Sequence, residues 1–295
     1  MRFILIVNPY SGKKRSKEIL DLIKPVFDSK GIDLTLIFTE FSGHARQLAN
    51  KLKFDGYDGF LVLGGDGTLN EVVNGMLQRQ DGMILPIGLI PGGSGNSIAY
   101  DLDLRDPVEA AKAIVNHQNR ALDIAQINIG QNVIYSINLI GWGLITDIGK
   151  RAESLRWIGT SRYTVSSLIE IMLRKSRKVK LVIDDKTFSD AFTFIVACNS
   201  IHIGKGMKMA PYAKLDDGLI DLLVVDANIS RRRLFTVLPK LFDGTHVSEP
   251  EVTYYQASSF SILSDTDDIL NIDGELVGNT PITVTMLKHS VKMFA

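Results

Sequence analysis

Phe60-Leu61-Val62-Leu63-Gly64-Gly65-Asp66-Gly67-Thr68-Leu69-Asn70-Glu71-Val72-Val73-Asn74-Gly75-Met76-Leu77 decides how the rest of the chain is read. Its first four residues are an apolar run of the kind that forms a buried strand, and from Leu69 onward apolar residues recur at helical spacing. Between them lies a glycine-rich turn, residues 64–68. Such a turn ahead of a helix presents backbone N–H groups together with the positive end of the helix dipole, and that makes a cradle for phosphate. Asp66 sits inside the cradle. A carboxylate there would repel phosphate unless it held a metal ion or accepted a proton, so Asp66 points to phosphoryl chemistry.

A second turn of the same kind follows. Pro86-Ile87-Gly88-Leu89-Ile90 reads as another buried strand, and Pro91-Gly92-Gly93-Ser94-Gly95-Asn96-Ser97-Ile98-Ala99 comes directly after it. Ser94 and Asn96 offer side-chain hydrogen bonds where the glycines let a ligand reach the backbone. In a parallel sheet, loops at the carboxyl ends of strands share one edge and can share one ligand. Neither turn carries the G-x-x-x-x-G-K-[ST] pattern, and the protein-kinase signatures H-R-D and D-F-G are absent from the sequence.

Working outward, the first third alternates strand and helix. Strands are predicted over 3–8 and 34–39, with helices over 16–30, 43–53 and 107–117. This rhythm implies a parallel sheet covered by helices. From about Asp123 the texture becomes β-rich, with runs at 123–129, 133–140, 178–183, 192–199, 219–225, 259–263 and 282–287. Helical patterns interrupt them at 162–174 and 231–241. The reading is an α/β domain over 1–122 and a β-rich domain built on antiparallel sheets over 123–295.

At 295 residues with 45% hydrophobic content, the chain can bury two cores. Its 33 basic residues balance 33 acidic ones, so no strong field recruits nucleic acid. The single Cys198 excludes an intramolecular disulfide, fits a reducing cytoplasm, and reads as a small buried hydrophobe. The apolar run at 3–7 is too short for a signal peptide, and no segment approaches the roughly 20 apolar residues of a membrane span.

The two glycine turns, GGDGTLNEVVNG and PGGSGNSIA, together resemble the diacylglycerol kinase and sphingosine kinase family of lipid kinases. Asn8-Pro9-Tyr10-Ser11-Gly12, Gly206-Met207-Lys208-Met209-Ala210-Pro211, Leu215-Asp216-Asp217-Gly218 and Ile272-Asp273-Gly274-Glu275 extend the resemblance over essentially the whole chain. GGDGT alone is shared with NAD kinases and phosphofructokinases, so an NAD kinase-like soluble-metabolite kinase is the alternative of another class. The resemblance implies an NAD kinase-like fold with the active site in the interdomain cleft, a last strand packing back near the first domain, ATP as phosphoryl donor and Mg²⁺ as its partner ion. It implies a peripheral, transient visit to the membrane surface by a cytoplasmic enzyme. The oligomeric state stays open, a homodimer included.

The resemblance also assigns residues. Asn8, Ser11, Gly12 and Thr39 lie at or just after the ends of predicted strands where a nucleotide could bind, and Gly64, Gly65, Gly67, Thr68, Ser94 and Asn96 would line its phosphates. Asp66 and Glu275 are the catalytic candidates, with the roles of base and metal ligand undivided between them. Glu71 and Asn74 belong to the same motif, with a capping or buried structural role for Glu71 as open as a functional one. A divalent ion would be held by the Asp217 side chain and the backbone oxygens of Lys214 and Leu219, with an ordinary β-turn as the alternative.

For the substrate, Gly141-Trp142-Gly143-Leu144-Ile145-Thr146-Asp147 resembles the sphingosine kinase branch, whose matching acid meets the polar head of a sphingoid base. A carboxylate beside an apolar tunnel would pair with a protonated amine, which diacylglycerol lacks. The compact length instead matches bacterial diacylglycerol kinases, and Asp147 can also be read as a helix N-cap. One more segment stands out. Lys150, Arg151, Arg156, Arg162, Arg174, Lys175, Arg177, Lys178 and Lys180 face only Glu153 and Glu170, interleaved with apolar residues. Two readings follow: a membrane-docking face, or a solvated helix that packs its apolar side on the second domain.

Overall fold

The computed structural model describes residues 1–12, 14–173, 175–204 and 206–295, with backbone alone at Arg156 and Thr160. The chain forms two compact units: Met1–Ile124 with Gly204–Gly206 and Lys288–Ala295, and Ala125–Ile203 with Met207–Leu287.

The first unit is a parallel sheet. Its elements are β1 (Arg2–Val7), α1 (Ser16–Asp28), β2 (Asp33–Phe38), α2 (His44–Lys51), β3 (Gly59–Gly64), α3 (Asp66–Leu77), β4 (Ile87–Pro91), α4 (Ser97–Asp101) and α5 (Pro107–Val115). β1 lies between β2 and β3, with Phe3 opposite Leu34 and Gly59, and β4 pairs with β3. Met293 and Phe294, near the chain's end, add a further parallel pairing to Ile87 and Gly88 of β4. β1, β3 and β4 are almost continuously apolar because both faces of a helix-covered parallel sheet are buried. Phe3, Leu5, Leu61, Leu63 and Ile90 pack with Ile23 and Phe27 of α1 and Ile114 of α5.

The second unit is antiparallel throughout the pairings within it. Its elements are the end of β5 (Asn119–Ile129), β6 (Asn132–Ser136), β7 (Leu139–Gly143), α6 (Leu144–Ser154), α7 (Arg162–Leu173), β8 (Arg177–Ile183), β9 (Lys186–Cys198), β10 (His202–Ile203), β11 (Met207–Lys208), β12 (Ile220–Asp226), α8 (Arg231–Val237), β13 (Val252–Ala257), β14 (Ser259–Leu263), β15 (Ile269–Ile272), β16 (Glu275–Asn279) and the start of β17 (Ile282–Phe294). The long β9 organises it. Its first half pairs with β8, and its second half runs between β7 and β12. One core joins Trp142, Leu181, Ile195, Leu222, Phe260 and Val284. Another joins Val196, Leu223 and Val225 to Leu144, Met209 and Leu234, so helices and the 209–213 segment cover that sheet face.

Several elements depart from the sequence reading. The predicted strand over 133–140 is two strands, β6 and β7, because residues 136–139 turn inward to bind Asp273. The first helix ends at Asp28 rather than 30, and α3 begins at Asp66 itself, capped by Gly65 in an extended conformation. Of the two readings open for the 162–174 segment, the packed one does not describe α7, which buries Ser166, Glu170 and Ile171 and exposes Tyr163, Leu168, Ile169, Met172 and Leu173. Arg174, part of the same predicted helix, lies outside the described residues.

Candidate active site

In the first unit, the nucleotide-side candidates all lie at or just beyond the carboxyl ends of β1 to β4, on one edge of the sheet. The loops there touch backbone to backbone. Gly12 adopts φ +55°, and a Cβ on it would sit 2.4 Å from the Gly92 carbonyl oxygen. A Cβ on Gly93 would sit 2.5 Å from Gly65 Cα. Only glycine permits these approaches, which is why both motifs are glycine-rich.

Polar side chains lock the same loops together. Asp66, in the first turn of α3, accepts the Ser97 N–H at Oδ2 (2.9 Å) and the Ile98 N–H at Oδ1 (3.3 Å). The catalytic candidate of the first glycine turn therefore holds the start of the helix that follows the second. Asn96, itself left-handed at φ +56°, both accepts from Gly93 N–H and donates to its carbonyl (3.0 Å each). Asn8 donates to Thr68 Oγ1 (2.9 Å), and Ser16 Oγ donates to the Asn8 carbonyl (2.7 Å). Ser11, Thr39 and Thr68 are buried, Thr39 donating its N–H to the Val7 carbonyl. Asn8 and Asn96 thus spend their side chains on bracing the loops.

Glu71 has a structural role. Its two carboxylate oxygens accept the N–H groups of Gly43 (2.8 Å) and Ala45 (3.1 Å), capping the amino end of α2 from α3. Asn74 is fully buried and donates to the Asn70 carbonyl.

The remaining candidates belong to the second unit. Glu275 opens β16 with its side chain exposed. The Asp273-Gly274 turn before it is fixed by Asp273, whose carboxylate accepts Ser136 Oγ and the N–H groups of Ile137, Asn138 and Leu139 at 2.8–2.9 Å. The Asp273 N–H in turn donates to the Leu139 carbonyl. Sequence reading noticed the turn but not this anchor.

Asp147 is not a helix N-cap, since Gly143 caps α6. Nor is its charge free. Arg177 Nη2 donates to both carboxylate oxygens, at 2.8 and 2.9 Å, and Arg177 Nε reaches Asp268 Oδ1 at 3.3 Å. Asp268 also accepts Trp142 Nε1 and Thr266 Oγ1. Asp147, Arg177 and Asp268 border a cavity of about 50 Å³ shared with Lys150 and Asp267. In the sequence Arg177 is one cation of a basic segment, and no sequence signal ties it to Asp147 or Asp268.

Asp217 Oδ1 accepts the Leu219 N–H (3.0 Å), closing the turn that carries Lys214 and Leu219. Close by in sequence, Asp221 is buried. Its Oδ1 accepts Tyr254 Oη and Gln256 Nε2, its Oδ2 has no hydrogen-bond partner among the described residues, and burial raises its carboxyl above the usual range. Among the described residues, no group of three or more His, Cys, Asp or Glu side chains is placed to hold a metal ion. A cation here would rest on one carboxylate and main-chain oxygens, an all-oxygen set that suits Mg²⁺ or Ca²⁺.

A parallel sheet with two glycine turns at one edge, one carrying a fixed acid, together with an antiparallel second unit carrying a second acid on a clamped turn, defines a phosphotransferase. Residues 2–127 match the diacylglycerol kinase catalytic domain, and residues 138–295 match the YegS C-terminal NAD kinase beta sandwich-like domain. The chain is 31% identical to a diacylglycerol kinase of Staphylococcus saprophyticus, over 98% of its own length and 94% of the relative's. It is 27% identical to sphingosine kinase 1 of Arabidopsis thaliana, over 94% of this chain and 68% of that one. A crystal structure of a diacylglycerol kinase from Bacillus anthracis shares the fold, with a TM-score of 0.75 at 22% identity, covering 99% of this chain and 96% of that one. The protein belongs to the lipid kinase family that unites diacylglycerol kinases and sphingosine kinases. No helix among the described residues is long and apolar enough to cross a membrane.

Proposed function

We infer that this lipid kinase transfers the γ-phosphoryl group of ATP to the hydroxyl of an amine-free lipid of the diacylglycerol class. The observation that carries the choice of lipid is the bidentate hold of Arg177 on Asp147. An acid already bound to a guanidinium offers little net attraction to an ammonium head, and diacylglycerol asks for none. The identity to a diacylglycerol kinase over nearly the whole length of both chains supports the same reading.

In this reading the two turns at 64–68 and 92–96 cradle the triphosphate through backbone N–H groups and the amino end of α3. Asn8, Ser11, Gly12 and Thr39 shape the rest of the nucleotide site. Asp66, both oxygens fixed by backbone donors, presents a charge of set orientation to the reacting phosphate. Glu275 is the second acid of the reaction. Phosphoryl transfer depends chiefly on positioning and on neutralising charge, so rigid loops contribute directly to rate. Mg²⁺ bound with the nucleotide would supply that neutralisation, with Asp66 or Glu275 as the carboxylate that would hold it. The Asp217 carboxylate with the Lys214 and Leu219 carbonyls would hold a second, structural divalent ion. The acceptor lipid is met at a membrane surface, peripherally, by a cytoplasmic enzyme.

The test is phosphorylation from radiolabelled ATP across diacylglycerol, monoacylglycerol, ceramide, sphingosine, dihydrosphingosine and NAD. Labelled phosphatidic acid as the dominant product is expected. Dominant phosphorylation of sphingosine overturns the choice of lipid, and labelling of NAD alone overturns the lipid reading as a whole.

A further inference from the structure

The helix α7 is built inside out. Towards the domain it turns Ser166, Ile171 and Glu170, the last held by Arg151 Nε at 2.5 Å. Towards solvent it turns Tyr163, Leu168, Ile169, Met172 and Leu173, and in the turn just before it Trp157 is 81% exposed. A helix in water normally does the reverse. Contiguous exposed apolar side chains of this size mark a surface that meets another apolar phase.

Charge selects the partner. Both acids of this stretch are spent internally: Glu170 on Arg151, and Glu153 beside Arg162 at 3.9 Å. Exposed cations flank the apolar face. Lys175 follows α7, and Arg231 of α8 donates through Nε to the Met172 carbonyl, which fixes Arg231 and its exposed neighbour Arg232 near the helix's end. A second copy docked through the same face would add a second set of cations to the interface and no acid to meet them. An anionic bilayer complements them, its headgroups meeting the basic rim and its acyl region taking up the apolar face. Tryptophan at the junction suits the membrane interface.

We propose that α7 and the turn at Trp157 form the face by which this protein docks on anionic membranes, inserting Trp157, Leu168 and Met172 to the depth of the acyl boundary. The proposal rests on the lipid kinase reading only for its purpose; the docking itself is measured without catalysis. The chain has two tryptophans, and Trp142 is fully buried. A change in emission on adding vesicles therefore reports Trp157.

The full-length protein is titrated with vesicles of phosphatidylcholine, and with vesicles of equal parts phosphatidylcholine and phosphatidylglycerol. Expected is a blue shift on the anionic vesicles that is absent in Trp157→Phe, with co-sedimentation that weakens as salt rises. The double variant Leu168→Gln, Met172→Gln should bind about tenfold or more weakly, and so should Lys175→Glu, Arg232→Glu. Because all four side chains are exposed, both variants should keep the wild-type melting temperature. They should also phosphorylate a short-chain, monomeric diacylglycerol at the wild-type rate while losing activity on vesicle-borne substrate. Vesicle binding without a Trp157 shift, unchanged binding by Leu168→Gln, Met172→Gln, or no binding by the wild type each overturns the docking face. A dimer that Leu168→Gln, Met172→Gln dissociates, in a protein that ignores vesicles, overturns it in favour of a second copy. Docking as expected with no lipid phosphorylated would leave this face standing and refute the kinase's assigned substrate instead.

Discussion

Arg177 and Asp147 form a two-point ion pair, one nitrogen of the guanidinium serving both carboxylate oxygens at 2.8 and 2.9 Å. An ammonium group brought to Asp147 would also come close to Arg177. At ~4 Å and an effective dielectric of ~20, attraction to the acid and repulsion from the base are each ~4 kcal/mol, so they nearly cancel. Replacing Arg177 by Gln removes the repulsion and leaves Asp147 uncompensated. The ratio of kcat/KM for sphingosine to that for diacylglycerol should rise by about tenfold or more. Steady-state kinetics on the two lipids in the same detergent decide it, and an unchanged ratio removes this pair from substrate choice.

Asp66 and Glu275 are expected to respond differently to the same chemical change. Asp66→Asn removes the charge and puts an amide where one of two backbone N–H groups needs an acceptor. Turnover should fall by about a thousandfold, as when a transition-state charge partner is lost, with some loosening of the loop at Ser97. Glu275 is exposed on β16, so Glu275→Gln has little to unsettle structurally. A large fall in kcat with an unchanged melting temperature would assign it to the reaction, and near-normal turnover in either folded variant would remove that acid from the chemistry.

Glu71 should behave as a structural residue despite its place inside the glycine motif. Its carboxylate caps two N–H groups at the start of α2, so Glu71→Ala should cost ~1–2 kcal/mol of unfolding free energy. Turnover at saturating ATP should stay within a few-fold of wild type. Denaturant unfolding alongside initial rates tests this, and lost turnover at undiminished stability would give Glu71 a catalytic role.

Local, periodic features of the fold were legible in the sequence. The apolar runs of β1, β3 and β4 and the glycines around Asp66 and Asn96 reflect burial on both faces and contact between backbones, and both leave a mark on neighbouring residues. Partnerships distant in sequence leave none. Asp273 reaches back more than a hundred residues to Ser136–Leu139 and splits one predicted strand into β6 and β7. Arg177 and Asp147 lie 30 residues apart on a strand and a helix, and although the motif marks Asp147 as a candidate, nothing in the sequence marks Arg177 as its partner. Helical periodicity shows that α7 has an apolar side, but it cannot say which way that side turns. In the structure Glu170, held by Arg151, lies on the buried side instead.

His246 makes the stability of the second unit depend on pH. The ring is buried, with one nitrogen 2.9 Å from the Met209 carbonyl, and this ties the segment after β11 to the turn before β13. Burial holds its pKa below the ordinary value, outweighing the hydrogen bonds that favour the charged ring. The folded protein therefore keeps a neutral His246 at a pH where the unfolded chain has already taken up a proton. Above about pH 6.5 the ring is neutral in both states and exerts no pull. As pH falls below that value the unfolded chain gains protons first, so stability declines until the folded-state pKa is passed and the slope ends. Unfolding free energy from urea titrations should thus be lower at about pH 5 than at about pH 7.5. His246→Gln keeps a donor for the Met209 carbonyl but cannot titrate. It should cost stability at the higher pH, through imperfect packing, while flattening this part of the pH dependence. A His246→Gln profile parallel to that of the wild type would place the acid sensitivity on other groups.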